Sequence, residues 1–333
     1  MKVLIVRLSA MGDIVHSLPL AANARRAGVE VGWLVERSHA GVLEGNPSID
    51  RLFVAETQSW RRNPLRSTTR RDLDRLSAEL AEFRPDYAIE AHGLWKSILI
   101  ARLAHAPIVS LRRRDRREPS SGVFVDHRVR LEPGAVHVVD QNLLLLQPLG
   151  IPIVAPAPDA RYLLARGHTA AEDFLAALPR PFALYHPGTA RPAKAWGEDR
   201  YARLAERLAT ERNLFPVVSW GPGDEKRVAR FAERLPRARV MPLLDLAGLA
   251  RVIDTASLFV AGDTGPVHLA DALGRPALAL FGPASGRRNV PARNRPYRGW
   301  AMRYDETTSP DEVAARAAEI LNRTETSPSA TEA

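Results

Sequence analysis

Four stretches of this chain set acids, hydroxyls or cations beside glycine, each just after an apolar run. In Ser9-Ala10-Met11-Gly12-Asp13, Gly12 lets the backbone turn closely and Asp13 falls at a helix start, where a carboxylate can cap free amides or act as an acid–base group. The residues alone leave both open. In Gly262-Asp263-Thr264-Gly265-Pro266-Val267-His268, proline stands in the first turn of the next helix. The free amides there, the Thr264 hydroxyl and the permissive Gly265 together make an anion seat. His268 falls one turn in, as a site residue or as a histidine that satisfies the core. The Pro/Gly-rich loop from Pro187 to Trp196 offers Thr189 as a donor and Lys194 as a point charge, which suit a diphosphate and equally suit plain exposure. In Trp220-Gly221-Pro222-Gly223-Asp224-Glu225, Glu225 can cap a helix or accept hydrogen bonds from a ribose diol.

Such residues act together only if strands aim them, and in open parallel sheets ligands bind beyond the carboxyl ends of the strands. Lys2–Leu8 is a β-branched apolar run, Ile14–Ala27 a helical pattern closed by Gly28, and Val29–Val35 a second strand. That βαβ opening predicts a parallel doubly wound sheet. Strands at Asp86–Glu90 and Ile108–Leu111 alternate with helices at Arg71–Phe83 and Trp95–Leu103. After the proline-rich connector that ends at Asp159, strands are expected at Phe182–His186, Phe215–Trp220, Leu258–Ala261 and Ala277–Phe281, again with helices between them. The predicted organisation is a first α/β domain over 1–160, a second over 161–309, a C-terminal helix over 310–323 and a Thr/Ser/Glu/Ala tail over 324–333 expected to be disordered.

At 333 residues the chain exceeds what one hydrophobic core usually serves, in keeping with two domains. It has no cysteine, so thiolate chemistry and disulfides are excluded and histidines and carboxylates must carry any acid–base work. Arg7 and Asp13 interrupt the N-terminal apolar run too early for a signal peptide. No apolar run approaches the ~20 residues that span a bilayer. The net charge of +9 implies an anionic partner: nucleic acid, a phospholipid surface, or a phosphorylated or carboxylated substrate. Arginines cluster in the first half, with Arg61, Arg62, Arg66, Arg70, Arg71 and Arg75 in one stretch and Arg112, Arg113, Arg114, Arg116 and Arg117 in another. Neither the phosphate loop G-x-x-x-x-G-K-[ST] nor G-x-G-x-x-G is present, which removes the main support for NTP hydrolysis and hydride transfer. H-E-x-x-H is absent too, and no metal and no cofactor is called for.

Taken together, VLIVRLSAMGDIVHSLP, EAHGLWKS, RREP, the HPGT–Lys–Trp loop, WGPGDE and VAGDTGPVHLADALGRPALALFGP resemble the bacterial lipopolysaccharide heptosyltransferase family, glycosyltransferase family 9, and most of all its heptosyltransferase I branch. The resemblance implies the GT-B architecture, two Rossmann-like α/β/α domains facing across a cleft, and an inverting, metal-independent transfer completed when that cleft closes. It implies that Asp13 is the general base, that Thr189 and Lys194 meet the donor's phosphates or sugar, and that Glu225 meets the ribose. Asp263 would contact a heptose hydroxyl, Thr264 and Gly265 would cradle the diphosphate, and His268 would line the same site. Arg61, Arg62 and Arg117, with the arginines that neighbour Arg117, would face the acceptor's anionic groups. The loop from Thr189 to Lys194 departs from the family pattern, being one residue longer and richer in proline.

The leading reading from this resemblance is transfer of L-glycero-D-manno-heptose from ADP-heptose to Kdo of lipid A, by a cytoplasmic protein held at the inner membrane face through charge. A second is a relative with a different acceptor, including the next heptose. A third, a non-catalytic nucleic-acid-binding protein, rests on the basic charge alone and lacks a recognisable nucleic-acid module, so no nucleic-acid partner is expected.

Overall fold

The computed structural model describes residues 1–135, 137–155, 157–189, 195–283, 299–305 and 307–326. Lys194 and the basic stretch 287–298 lie outside them. The chain divides into two compact units, Met1–Pro158 and Asp159–Ala333.

The first unit is a six-stranded parallel sheet built from β1 (Lys2–Val6), β2 (Glu30–Glu36), β3 (Arg51–Ala55), β4 (Tyr87–Glu90), β5 (Ile108–Leu111) and β6 (His127–Val129), in the order β3-β2-β1-β4-β5-β6. Val3 pairs with Val31 on one side and with Tyr87 on the other. β1 reads as an unbroken apolar run because helices cover both faces, and Val3 through Val6 have no exposed surface. Leu4, Val6 and Phe53 pack against Leu76, Leu80 and Phe83 of the helix Ser67–Phe83.

The second unit repeats the plan. Its strands are β7 (Phe182–His186), β8 (Phe215–Val218), β9 (Arg239–Val240), β10 (Leu258–Gly262), β11 (Ala277–Phe281) and β12 (Gly299–Arg303), all parallel, in the order β12-β11-β10-β7-β8-β9. Each sheet therefore reverses its strand order once, between β1 and β4 and between β7 and β10. This is the Rossmann order, in which the crevice at the reversal receives the ligand. Tyr201 and Leu204 of one covering helix and Phe231 of the next pack with Val260 and Leu280 of the sheet. Two Rossmann-like sheets in tandem make the fold α/β, of the GT-B class.

Several elements differ from expectation. The helix predicted over Ile14–Ala27 is two, Met11–Val15 and Leu18–Arg26. Pro19 forces the break, because its ring cannot follow the Val15 carbonyl in a continuous helix, and it stands instead in the first turn of the second one. β3, β6, β9 and β12 went unread, being short or half-polar. The last helix runs Pro310–Thr326, past the predicted end at 323 and three residues into the segment expected to be disordered. Upstream of the unit boundary, the buried Asn23 side chain ties the connector down, accepting from the Val154 and Ala155 amides and donating to the Ala155 carbonyl.

Candidate active site

In the first unit the loops after β1, β4 and β5 are neighbours at one edge of the sheet, because those strands are neighbours. Asp13 follows β1. The residue at the N-cap of its helix is Ala10, and no side chain caps the amides there. The Asp13 carboxylate turns instead to two arginines, with Oδ1 2.8 Å from Arg7 Nη2 and Oδ2 3.0 Å from Arg117 Nη2. Arg7 leaves the end of β1 fully buried and also donates to the Ala91 carbonyl. Burial alone would raise the Asp13 carboxyl, but Arg7 and then Arg117 outweigh it and hold the group well below the usual carboxylate range.

Arg117 is brought to Asp13 by a second ion pair beneath it. Glu90, at the end of β4, and Arg116 are both completely buried and lie 2.8 Å apart. Glu90 also accepts from the His92 and Gly93 amides and from the Ser97 and Ser110 hydroxyls. Its lone pairs are thus filled, the condition under which a buried ion pair is tolerable. Gly93 has φ +76°, and a side chain there would come within 3.1 Å of the Arg117 amide nitrogen. Only glycine lets the two loops approach this closely. Glu118 completes the lock, with its amide donating to Gly93 and its carboxylate accepting from the Trp95 amide.

Beside this group Lys96 Nζ lies 3.2 Å from Ser9 Oγ. Burial lowers its ammonium and Glu36 opposes that, while Arg61, Arg117 and Arg7 lower it further. Arg61, on the helix Thr57–Arg62, is thus near enough to Lys96 to repel its charge. Arg62 lines a hollow with Arg37 and the carboxylates Glu36 and Glu56. His92 is buried and lowered to about 2, first by burial and then by Arg7, Lys96 and Arg117 against the pull of Asp13.

In the second unit β10, β7 and β8 are adjacent, so the loops carrying Asp263–Gly265, Thr189 and Gly223–Glu225 share one edge. The helix Gly265–Ala272 has Thr264 at its N-cap with no side-chain cap bond and proline in its first turn. Asp263 Oδ1 lies 3.8 Å from the buried His268 Nε2. Glu225 is exposed, at the start of the helix Glu225–Arg234, and accepts from the Gly223 amide at 3.2 Å. Gly188 is the close approach here, since a Cβ on it would sit 2.2 Å from Asp224 Oδ2 and 3.0 Å from His186 Nε2. His186 is lowered to about 4 by burial and then by Arg227. Burial raises the Asp224 carboxyl. Among the described residues no group of three His, Asp or Glu side chains could hold a metal ion.

Sequence reasoning missed Arg7, Glu90, Lys96 and Asp224, and it expected Arg116 to face the acceptor with its neighbours, whereas that side chain is buried against Glu90. A signal existed for the first two: a charged residue at the end of an otherwise apolar buried strand must meet an opposite charge.

The chain as a whole is similar to known proteins. The model of glycosyltransferase family 9 (heptosyltransferase) matches residues 73–313. The chain is 34% identical over 289 residues to lipopolysaccharide heptosyltransferase 1 of Pseudomonas aeruginosa, across 86% of this chain and 79% of that one. To the protein of the same name from Escherichia coli K12 it is 31% identical, across 85% and 88%. The solved structure of E. coli heptosyltransferase WaaC with ADP-2-deoxy-2-fluoro heptose superposes at a TM-score of 0.79 and 27% identity, over 96% of this chain and 99% of that one. This chain belongs to glycosyltransferase family 9, the heptosyltransferases.

Proposed function

We propose that this protein transfers L-glycero-D-manno-heptose from ADP-heptose to a Kdo hydroxyl of the lipid A inner core, inverting the anomeric carbon. One observation carries the reading: an ionised carboxylate among cations stands at the strand-order reversal of one sheet, and an uncapped helix N-terminus stands at the reversal of the other. Displacement at an anomeric carbon needs a group to take the acceptor's proton and another to hold the departing diphosphate.

In this reading Asp13 takes the proton of the acceptor hydroxyl as its oxygen bonds to the anomeric carbon. The bond from that carbon to the diphosphate breaks, and its electron pair leaves with ADP. The Thr264 and Gly265 amides and the Thr264 hydroxyl hold the diphosphate, supported by Lys194 and Thr189. Amide donors fixed in advance stabilise the developing charge without reorganising. Asp263 orients the heptose and Glu225 the ribose, with His268 behind them. Arg61, Arg62 and Arg117 meet the carboxylates and phosphates of the acceptor. No helix among the described residues is long and apolar enough to cross a membrane. A cytoplasmic protein held peripherally by its exposed arginines would reach a lipid-linked acceptor on that face.

Incubating the protein with a panel of nucleotide sugars and Kdo-bearing acceptors, with mass spectrometry and NMR of the products, tests the proposal. Heptose should be added only from ADP-heptose, only to Kdo, and with inverted configuration. Preference for another nucleotide sugar, or for an acceptor already carrying heptose, would overturn it.

A further inference from the structure

The two arginines that hold Asp13 differ in one respect. Arg7 has no exposed surface and is fixed from both ends, by Asp13 and by the Ala91 carbonyl. Arg117 is 35% exposed and meets both Asp13 oxygens through one nitrogen, Nη2. Its backbone is locked on either side, by the Glu90–Arg116 pair and by Glu118 on Gly93 and Trp95, while its side chain faces solvent. The remaining charged or titratable groups near Asp13 are His16 on its own helix, His92 after β4 and Lys96 beyond Ser9, with Glu90 on the far side of Arg7. Asp13 is thus an acid set among cations and imidazoles, and of its two guanidinium partners Arg117 is the one that reaches solvent.

A carboxylate held by two guanidiniums is a weak proton acceptor, because each opposite charge stabilises the ionised form. General-base catalysis weakens as the base weakens. The same guanidinium is also the exposed cation that an anionic acceptor would meet first.

We propose that Arg117 is a releasable clamp on Asp13: it occupies Oδ2 in the free protein, and an anionic group of the acceptor draws it off, so that Oδ2 becomes open and basic only once the acceptor is seated. Arg7 is the fixed half, which keeps the carboxylate oriented through Oδ1. The proposal rests on the reading of Asp13 as base for sugar transfer to an anionic acceptor. Its consequence is protection of the donor. Without acceptor, Asp13 cannot take a proton from water attacking the anomeric carbon, so the bond to the diphosphate is not spent on hydrolysis.

The test is release of ADP from ADP-heptose with no acceptor present, compared with transfer to a Kdo acceptor. Arg117→Gln keeps most of the side-chain length and removes the charge; it should raise hydrolysis at least about tenfold while lowering transfer. Arg117→Lys, which restores a cation, should return hydrolysis toward the wild-type rate. Adding Asp13→Asn to Arg117→Gln should abolish the gain. Hydrolysis unchanged or reduced in Arg117→Gln, with wild-type transfer intact, would overturn the clamp and leave the proposed function standing. If the wild type transfers no sugar, that function fails, and the clamp is read directly from the 13C carboxyl resonance of Asp13, identified by its loss in Asp13→Asn. Free Kdo monosaccharide, or Arg117→Gln, should then move its titration to higher pH. A titration unmoved by both would overturn the clamp.

Discussion

Asp13 Oδ1 lies 2.8 Å from Nη2 of Arg7, an arginine with no exposed surface. The carboxylate is thus part of the fold as well as of the proposed chemistry, because without it a guanidinium would be buried uncompensated. Breaking one partner of a buried pair typically costs about 3–5 kcal/mol. Asp13→Ala should lose stability on that scale in denaturant titration. Asp13→Asn, which still accepts a hydrogen bond from Arg7, should lose less, yet its turnover should fall by at least about 10² because an amide cannot take the proton. Near-normal turnover in Asp13→Asn would remove the base assignment.

The Glu90–Arg116 pair carries a related expectation. Glu90→Ala leaves the buried Arg116 guanidinium without its counter-charge and the His92 and Gly93 amides without their acceptor, and should cost about 3–5 kcal/mol. In a variant that still folds, such as Glu90→Gln, the loop that carries Arg117 loses its anchor. KM for the acceptor should then rise while donor affinity, measured by calorimetry, stays put. Equal loss of donor affinity would show that the pair serves the whole protein rather than this loop.

Such relationships are only partly legible in the order of residues along the chain. The strand β1 stands out as an unbroken β-branched apolar run and β7 and β11 as apolar runs bounded by proline or glycine, and Asp13 and Thr264 are visible because they follow apolar runs. What the chain order hides is partnership across it. Arg7 and Asp13 are near in sequence, but Arg117 is over a hundred residues away and reaches Asp13 only because β5 lies two places from β1. Glu90 and Arg116 look like surface charges until both are found at zero exposure. β3 and β9 escaped because an arginine opens each, and a half-polar start masks the alternation.

Gly188 offers a test confined to the second unit. A methyl group there would stand 2.2 Å from the Asp224 carboxylate, so one of them must move. Gly188→Ala should displace the loop that leads to Thr189 and weaken ADP-heptose binding about tenfold or more, while acceptor affinity is unchanged. Donor binding at the wild-type level would mean that the loop tolerates the shift and does not shape the nucleotide seat.

Acid should weaken the fold before the carboxylates titrate. His92 and His186 are lowered to about 2 and about 4, so between pH ~6.5 and those values the unfolded chain binds protons that the folded one refuses. Stability therefore rises with pH across that window, by up to ~1.4 kcal/mol per unit for each histidine, and falls on acidification. Asp13, lowered in the fold, acts in the same sense at lower pH, below ~3.9. Thermal denaturation followed from about pH 7.5 down to about 4.5 should show a falling midpoint, with a shallower slope in His92→Gln and in His186→Gln. A slope untouched by either substitution would assign the acid sensitivity elsewhere.

The last prediction concerns the membrane. Leu65 is 99% exposed and lies in a run of exposed arginines, Arg61, Arg62, Arg66, Arg70 and Arg71. Arginines near an anionic leaflet contribute about 1 kcal/mol each and fade within a Debye length, about 30 Å in 0.01 M salt and about 3 Å in 1 M. One leucine adds only about 1.5–3 kcal/mol if fully buried, too little to hold the protein once the charges are screened. Co-sedimentation with anionic vesicles should therefore be strong at low salt and lost at high salt. Reversing Arg61 and Arg66 to glutamate should abolish it, and Leu65→Ala should weaken it only modestly. Binding that survives high salt in Leu65→Ala would require another apolar anchor, for which Trp95, Leu99 and Val123, exposed on neighbouring elements, are the residues to substitute next.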